Sequence, residues 1–142
     1  MKGSKILVPL NGERVGEDAL KLACTMARKE KGEVYAIYVI QVKRALPLDA
    51  EIGAETEKGE KILKEAERIG VEMDCIVETE LLQAREAGPA IVDEAVARGI
   101  DVIIMGMPYK KPFGEFGLGS TVPYVLKNAR CRVLIWREAM EE

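Results

Sequence analysis

The residues with the clearest chemical promise lie between Val102 and Val125. Val102-Ile103-Ile104-Met105 is an apolar run of strand length that ends on Gly106. A loop carrying Lys110 and Lys111 follows and closes on Gly117-Leu118-Gly119-Ser120-Thr121, before the amphipathic segment Val122-Pro123-Tyr124-Val125. The first N–H groups of a helix have no partner within it, and glycines in front of them let a ligand come close. Such a strand, loop and helix start form a seat for phosphate. Each residue also has a plainer use. Ser120 either caps its own helix or donates to a phosphate. Gly117 and Gly119 serve a turn or a ligand, and the lysine pair faces solvent or a polyphosphate. Gly106 marks close backbone approach, by a ligand or by another segment. Tyr109 is a stacking surface or a surface aromatic, and Met105 reads as core before contact. The loop is longer than the usual strand-to-helix connection, which favours a functional segment.

Other chemistry is sparse. The chain has no histidine, so neither Ser-His-Asp nor Cys-His catalysis nor a histidine-ligated metal can be built from it. Cys24, Cys75 and Cys131 lie far apart and show no CxxC spacing, so they read as small core residues. Phosphoryl transfer needs a carboxylate that holds metal and a group that positions the nucleophile. Asp101 opens its strand at the end away from the loop, Glu115 is the only acid within the loop, and Asp93-Glu94 reads as a solvated helix face. Catalysis is therefore not expected.

The elements that must position the loop alternate in order. Strands are expected over Lys5–Pro9, Glu33–Val42, Val71–Thr79, Asp101–Met105 and Cys131–Arg137. Helices are expected over Gly16–Lys31, Glu55–Ile69, a segment opened by Gly88-Pro89 with Ile91, Ala95 and Val96 inward, and Ser120–Asn128. Gly32, Gly70 and Gly99 read as helix stops. This order predicts an α/β fold: an open five-stranded parallel sheet, order 3-2-1-4-5, Rossmann-like, with helices on both faces. Its crevice lies where the winding reverses, at the carboxyl ends of strands one and four. Topology and the phosphate-seat argument thus choose the same place. The 142 residues are read as a single domain, residues 1–142.

A net charge of −3 and 5% aromatic residues argue against nucleic acid. No apolar run reaches the roughly 20 residues of a membrane span, and the start Met1-Lys2-Gly3-Ser4-Lys5 leads into too short an apolar segment for a secretory signal. A cytoplasmic protein without membrane insertion is the expectation. Neither GxGxxG after the first strand nor GxxxxGK[ST] anywhere is present. A phosphoacceptor receiver is excluded because Leu10-Asn11 and Thr79-Glu80 stand where its acidic residues belong.

From Ile6-Leu7-Val8-Pro9 to Val133-Leu134-Ile135 the chain resembles the universal stress protein family. Nucleotide-binding members carry G-x2-G-x9-G-[ST] after strand four. Here Gly106, two residues, Tyr109, nine residues and Gly119-Ser120 keep that spacing, with tyrosine at the second glycine. Asn11 stands where such members have aspartate. A side chain at 109 crowds the ribose or phosphates and disfavours positive φ, and asparagine offers a different hydrogen-bonding pattern. The resemblance implies ATP or another adenine nucleotide as ligand, with magnesium only alongside bound nucleotide. It implies Pro9, Leu10, Asn11 and Val39 around the base, Met105 and Gly106 near the ribose, Tyr109 beside them, and Gly119, Ser120 and Thr121 on phosphate. It implies a homodimer paired through Cys131–Arg137, where the lone Trp136 would be an interface residue, and a role in stress response or regulation. The alternative is the same fold as a dimeric interaction scaffold that binds no nucleotide.

Overall fold

The computed structural model describes residues 3–109 and 120–140. Its elements run β1 (Lys5–Leu10), α1 (Arg14–Glu30), β2 (Glu33–Gln41), α2 (Gly53–Glu72), β3 (Val77–Ala84), α3 (Ala87–Arg98), β4 (Val102–Met107), α4 (Thr121–Asn128) and β5 (Arg132–Arg137). All five strands pair in parallel, in the order β3-β2-β1-β4-β5. The expected architecture and strand order are those observed.

The central strands are apolar on both faces because both are covered. On one side Ile6, Val8, Ala36, Tyr38 and Ile104 pack on Leu20, Cys24 and Ala27 of α1 and on Leu63 and Ile69 of α2. On the other, Leu7, Ile37, Ile103 and Met105 pack on Ile91 and Ala95 of α3 and on Val122 and Val125 of α4. The chain changes face after β3, which sets β4 beside β1 rather than beyond β3 and leaves the two strands' carboxyl ends diverging.

Several boundaries differ from the sequence reading, each for a local reason. The run Val71–Thr79 alternates like a strand, yet α2 continues through Val71 to Glu72 and β3 begins only at Val77. Val71 and Ile76 are 79% and 86% exposed, so the alternation marks no buried face. Gly70 is not a cap but a buried helix position; a Cβ there would stand 2.6 Å from the Cys75 carbonyl oxygen and 2.7 Å from Val77 Cγ2. The residues after β3 are Arg85-Glu86, so the exclusion of a receiver domain survives the shift. Lys31, at φ 56°, closes α1 in place of Gly32. Gly32 is instead the site where the chain brushes Ser4, whose carbonyl oxygen would lie 2.5 Å from a Cβ. Val96 is exposed, whereas Gly99 ends α3 with the positive φ expected of it. β4 runs on through Gly106 to Met107. Asp101 serves the far edge, where its carboxylate accepts the Lys5 amide at 2.8 Å.

Of the three cysteines only Cys24 is fully buried; Cys75 and Cys131 are half-buried. Burial, then the thiol of Cys75, push Cys24 from 9.0 up to about 12. The folded state thus holds this proton more tightly than the unfolded chain. Its contribution is complete below pH 9 and is lost as pH rises towards 12. Denaturant melts of Cys24→Ala should show a shallower alkaline loss of stability than wild type above about pH 9. Equal slopes would show that the thiol ionises as readily folded as unfolded.

Candidate functional site

A cavity of ≈ 660 Å³ opens at the carboxyl edge of the sheet. Its floor is the ends of three strands: Pro9, Leu10 and Asn11 after β1, Tyr38, Val39 and Gln41 of β2, and Met105 and Gly106 of β4. Ser120 and Thr121 bring the start of α4 to one wall, and Glu55 and Lys58 bring the first two turns of α2 to another. Glu13 and Gly16 supply the start of α1.

The wall between α1 and β4 is a backbone contact. A Cβ on Gly106 would lie 2.4 Å from the Val15 carbonyl oxygen and 2.8 Å from the Gly16 nitrogen. The first turn of α1 is thus what approaches Gly106. Gly16 is less confined, with a Cβ there 3.3 Å from the end of the Leu10 side chain. Ahead of α1, Asn11 forms an Asx turn. Its Oδ1 accepts the Glu13 amide at 3.0 Å while its Nδ2 donates to Glu13 Oε1 at 3.0 Å. One N–H and one oxygen lone pair of the Asn11 amide remain for anything in the cavity. Asn11 also holds the Glu13 carboxylate, a group the sequence reading did not include.

At the α4 wall, Ser120 occupies the N-cap position but makes no side-chain cap hydrogen bond. Its carbonyl instead accepts the Tyr124 amide at 3.3 Å. Pro123 falls in the first turn, where a missing N–H is harmless. Helix N-termini of this kind attract anions through their free N–H groups and the positive end of the dipole.

At the α2 wall the decisive residue is Gly59. A Cβ there would lie 2.5 Å from Leu81 Cδ1 and 2.8 Å from Tyr38 Cδ2, so α2 settles close on β2 and β3 with no side chain at this position to hold it off. That contact carries Glu55 to the cavity edge, where Tyr38 donates its hydroxyl to Glu55 Oε2 at 3.1 Å. Burial, with this bond second, raises the Tyr38 phenol above its usual range. The loop before α2 is pinned from β3. Arg85 donates to the carbonyls of Lys43 and Leu46, at 2.7 and 2.8 Å, and Gln83 donates to those of Leu48 and Ala50, at 2.8 and 3.0 Å.

Tyr109 stands apart from the residues lining the cavity. Arg137 stacks over its ring at 4.8 Å. Its amide donates to Glu138 Oε1 at 2.8 Å, and the Glu138 amide donates to the Met107 carbonyl at 2.9 Å. Its φ is not in the left-handed region, so the position expected to need glycine carries tyrosine without backbone strain. Lys110, Lys111, Glu115, Gly117 and Gly119 lie outside the described residues.

Comparison with known proteins agrees with this fold. The model of the universal stress protein family matches residues 3–137. The chain belongs to this family. A curated relative, universal stress protein MJ0531 of Methanocaldococcus jannaschii, is 34% identical over 97% of this chain and 84% of its own. Among solved structures, the universal stress protein of Archaeoglobus fulgidus in complex with dAMP aligns with a TM-score of 0.75 at 21% identity, over 95% of this chain and 98% of that one. A family member from Arabidopsis thaliana with AMP bound aligns with a TM-score of 0.68 at 16% identity, over 96% and 92%.

Of the ten positions the family resemblance singled out, the cavity is lined by Pro9, Leu10, Asn11, Val39, Met105, Gly106, Ser120 and Thr121. The sequence reading did not include Glu13, Tyr38, Gln41, Glu55 or Lys58, which the fold brings to the same cavity. A glycine within the otherwise Glu- and Lys-rich start of α2 was the available signal, since glycine there costs a helix about 1 kcal/mol.

The Gly106 contact is open to direct measurement. Gly106→Ala should destabilise the fold by about 1–3 kcal/mol in urea melts, because the methyl must displace α1 backbone. Wild-type stability in that variant would show that α1 has room to retreat.

Proposed function

We propose that this universal stress protein, a single domain over residues 1–142, binds an adenine nucleotide in the cleft at the carboxyl edge of its sheet. The carrying observation is that one cavity joins the start of α4 to the ends of β1, β2 and β4. The α4 end offers backbone N–H groups and a Ser120 hydroxyl not engaged as a cap. Phosphate belongs there, together with Thr121 and with Gly119 of the motif. Met105 and Gly106 flank the ribose, and Pro9, Leu10, Asn11 and Val39 flank the base. Solved relatives with bound AMP and dAMP support the choice of ligand. Magnesium would enter with the polyphosphate of ATP. Among the described residues no three His, Cys, Asp or Glu side chains cluster to hold a metal on their own.

The protein acts in the cytoplasm as a binding module in stress response or regulation, with ATP hydrolysis at most slow. Titration calorimetry with ATP, ADP and AMP should give saturable binding. Val in place of Ser120 should weaken it about tenfold or more, as expected for a lost hydrogen bond to a charged phosphate. No heat and no melting shift at millimolar nucleotide would leave the second reading, a scaffold that binds no nucleotide. The internal pairing of the Asn11 amide with Glu13 favours that reading.

The module works as a homodimer through β5. This strand forms a sheet edge, and Leu134 and Trp136 are 38% and 43% exposed along it. An apolar open edge of this kind recruits another strand. Trp136→Glu should convert a dimer to a monomer in size-exclusion chromatography with light scattering. A wild-type protein of monomer mass at micromolar concentration would remove the dimer.

A further inference from the structure

Two thiols meet where α1 passes the end of α2, and neither lines the nucleotide cleft. We propose that Cys24 and Cys75 form a peroxide-responsive dithiol, in which hydrogen peroxide oxidises Cys75 and Cys24 then closes an intramolecular disulfide onto it.

Three observations carry it. First, the fold holds the two thiols together. Cys24 is fully buried on the inner face of α1, and Cys75 packs on the same cluster from the turn after α2. The Cys24 thiol donates to Cys75 Sγ, and the Cys75 thiol donates to the Ile76 carbonyl at 3.9 Å. An S–S bond is about 2.05 Å long, shorter than a hydrogen bond between sulfurs, so a rotation of the half-buried Cys75 side chain closes the remaining gap.

Second, Cys75 is placed by a built turn. α2 ends in paired hydrogen bonds, from the Cys75 amide to the Gly70 carbonyl at 2.8 Å and from the Asp74 amide to the Val71 carbonyl at 3.2 Å. Between them Asp74 stands at φ 55°, the left-handed position usually given to glycine. The chain therefore folds back over the last turns of α2 and carries Cys75 with it. Gly70 makes the room, since a Cβ there would lie 2.6 Å from the Cys75 carbonyl oxygen.

Third, one thiol of the pair is reachable and the other is not. A cavity of ≈ 390 Å³ opens at the amino edge of the sheet, ample for hydrogen peroxide, and Cys75 lines it beside Ala27 and Arg28 of α1. Those two residues lie one helical turn beyond Cys24, which is itself closed to solvent. Burial holds the Cys24 thiol protonated up to about 12, which makes it a poor target for peroxide and a strong nucleophile once its proton leaves.

The order of events follows. Cys75 Sγ attacks one peroxide oxygen, the O–O bond breaks, and the other oxygen leaves with the thiol proton as water. Cys24 Sγ attacks the sulfur of the resulting sulfenic acid. The S–O bond breaks, and the departing hydroxide takes the Cys24 proton as a second water. Two thiols are oxidised to one disulfide and one peroxide is reduced to two waters. The bond ties the middle of α1 to the turn that leads into β3.

The full chain, treated with a few equivalents of hydrogen peroxide without denaturant and then alkylated, should lose two of its three free thiols. Its intact mass before alkylation should fall by two hydrogens. Digestion without reductant should yield a peptide bridged between Cys24 and Cys75, which dithiothreitol abolishes. Cys131→Ser should leave the bridge unchanged. Cys24→Ser should let Cys75 run on to sulfinic acid, and Cys75→Ser should leave Cys24 reduced at the same dose. The wild-type readout decides the matter even where a variant fails to fold. Cys75 recovered as sulfinic acid beside an alkylated Cys24 would overturn the proposal. So would a bridge that includes Cys131, or three free thiols after a dose that oxidises free cysteine.

Discussion

The close meeting of two backbones, Gly106 at the end of β4 and Val15-Gly16 at the start of α1, governs the carboxyl edge of this sheet. A helix on a sheet is ordinarily kept off by a layer of side chains. At this point that layer is missing on both partners. The amino end of α1 sinks towards β4 and brings the Asn11–Glu13 turn to the cavity with it. The same device recurs at the other wall, where Gly59 lets α2 down onto Tyr38 and Leu81. Side-chain volume withheld at a few packed positions is what leaves the cleft its shape.

This explains why glycines in the chain are easily misread from sequence. Gly106 has two physical interpretations there, and only the placement of α1 decides that a helix start fills the space. Gly70 sits where a helix could end, but its neighbours are Cys75 and Val77, brought back by the turn that follows. Sequence reports that a Cβ is missing and stays silent on what stands in its place. The order of strands and helices was legible because a parallel sheet covered on both faces demands apolar runs, and Ile6–Val8 or Val102–Met105 have no other stable use. The start of β3 was not. As the end strand of the sheet, β3 is more polar, with Glu78 and Glu80 along it, and the apolar run before it belongs to a helix end and a turn.

The site was legible to the extent that it is local. The strand-to-helix segment around β4 and α4 brings its own spacing, so Met105, Gly106, Ser120 and Thr121 could be grouped from one stretch of chain. Tyr38 and Glu55 could not. They are joined by a hydrogen bond across a loop, and their approach depends on Gly59 meeting Leu81 from a third element. The segment between them is held by Arg85 and Gln83 at the far end of β3. No periodicity encodes a contact that needs four segments to agree.

The departure at position 109 fits the same logic of space. A residue following β4 can turn towards the cleft or along the sheet edge. Here Arg137 and Glu138 at the end of β5 draw it to the edge, one by stacking on the ring and the other by accepting its amide. The bulk that a tyrosine adds is therefore spent against the neighbouring strand rather than inside the cavity. With φ outside the left-handed region, its backbone follows a path open to any residue. Glycine at this position is one way to keep the cleft mouth clear. A residue held at the edge, its ring by a cation and its amide by a carboxylate, also keeps its bulk off the cavity lining, and it adds a physical link between the end of β4 and the strand at the open edge of the sheet.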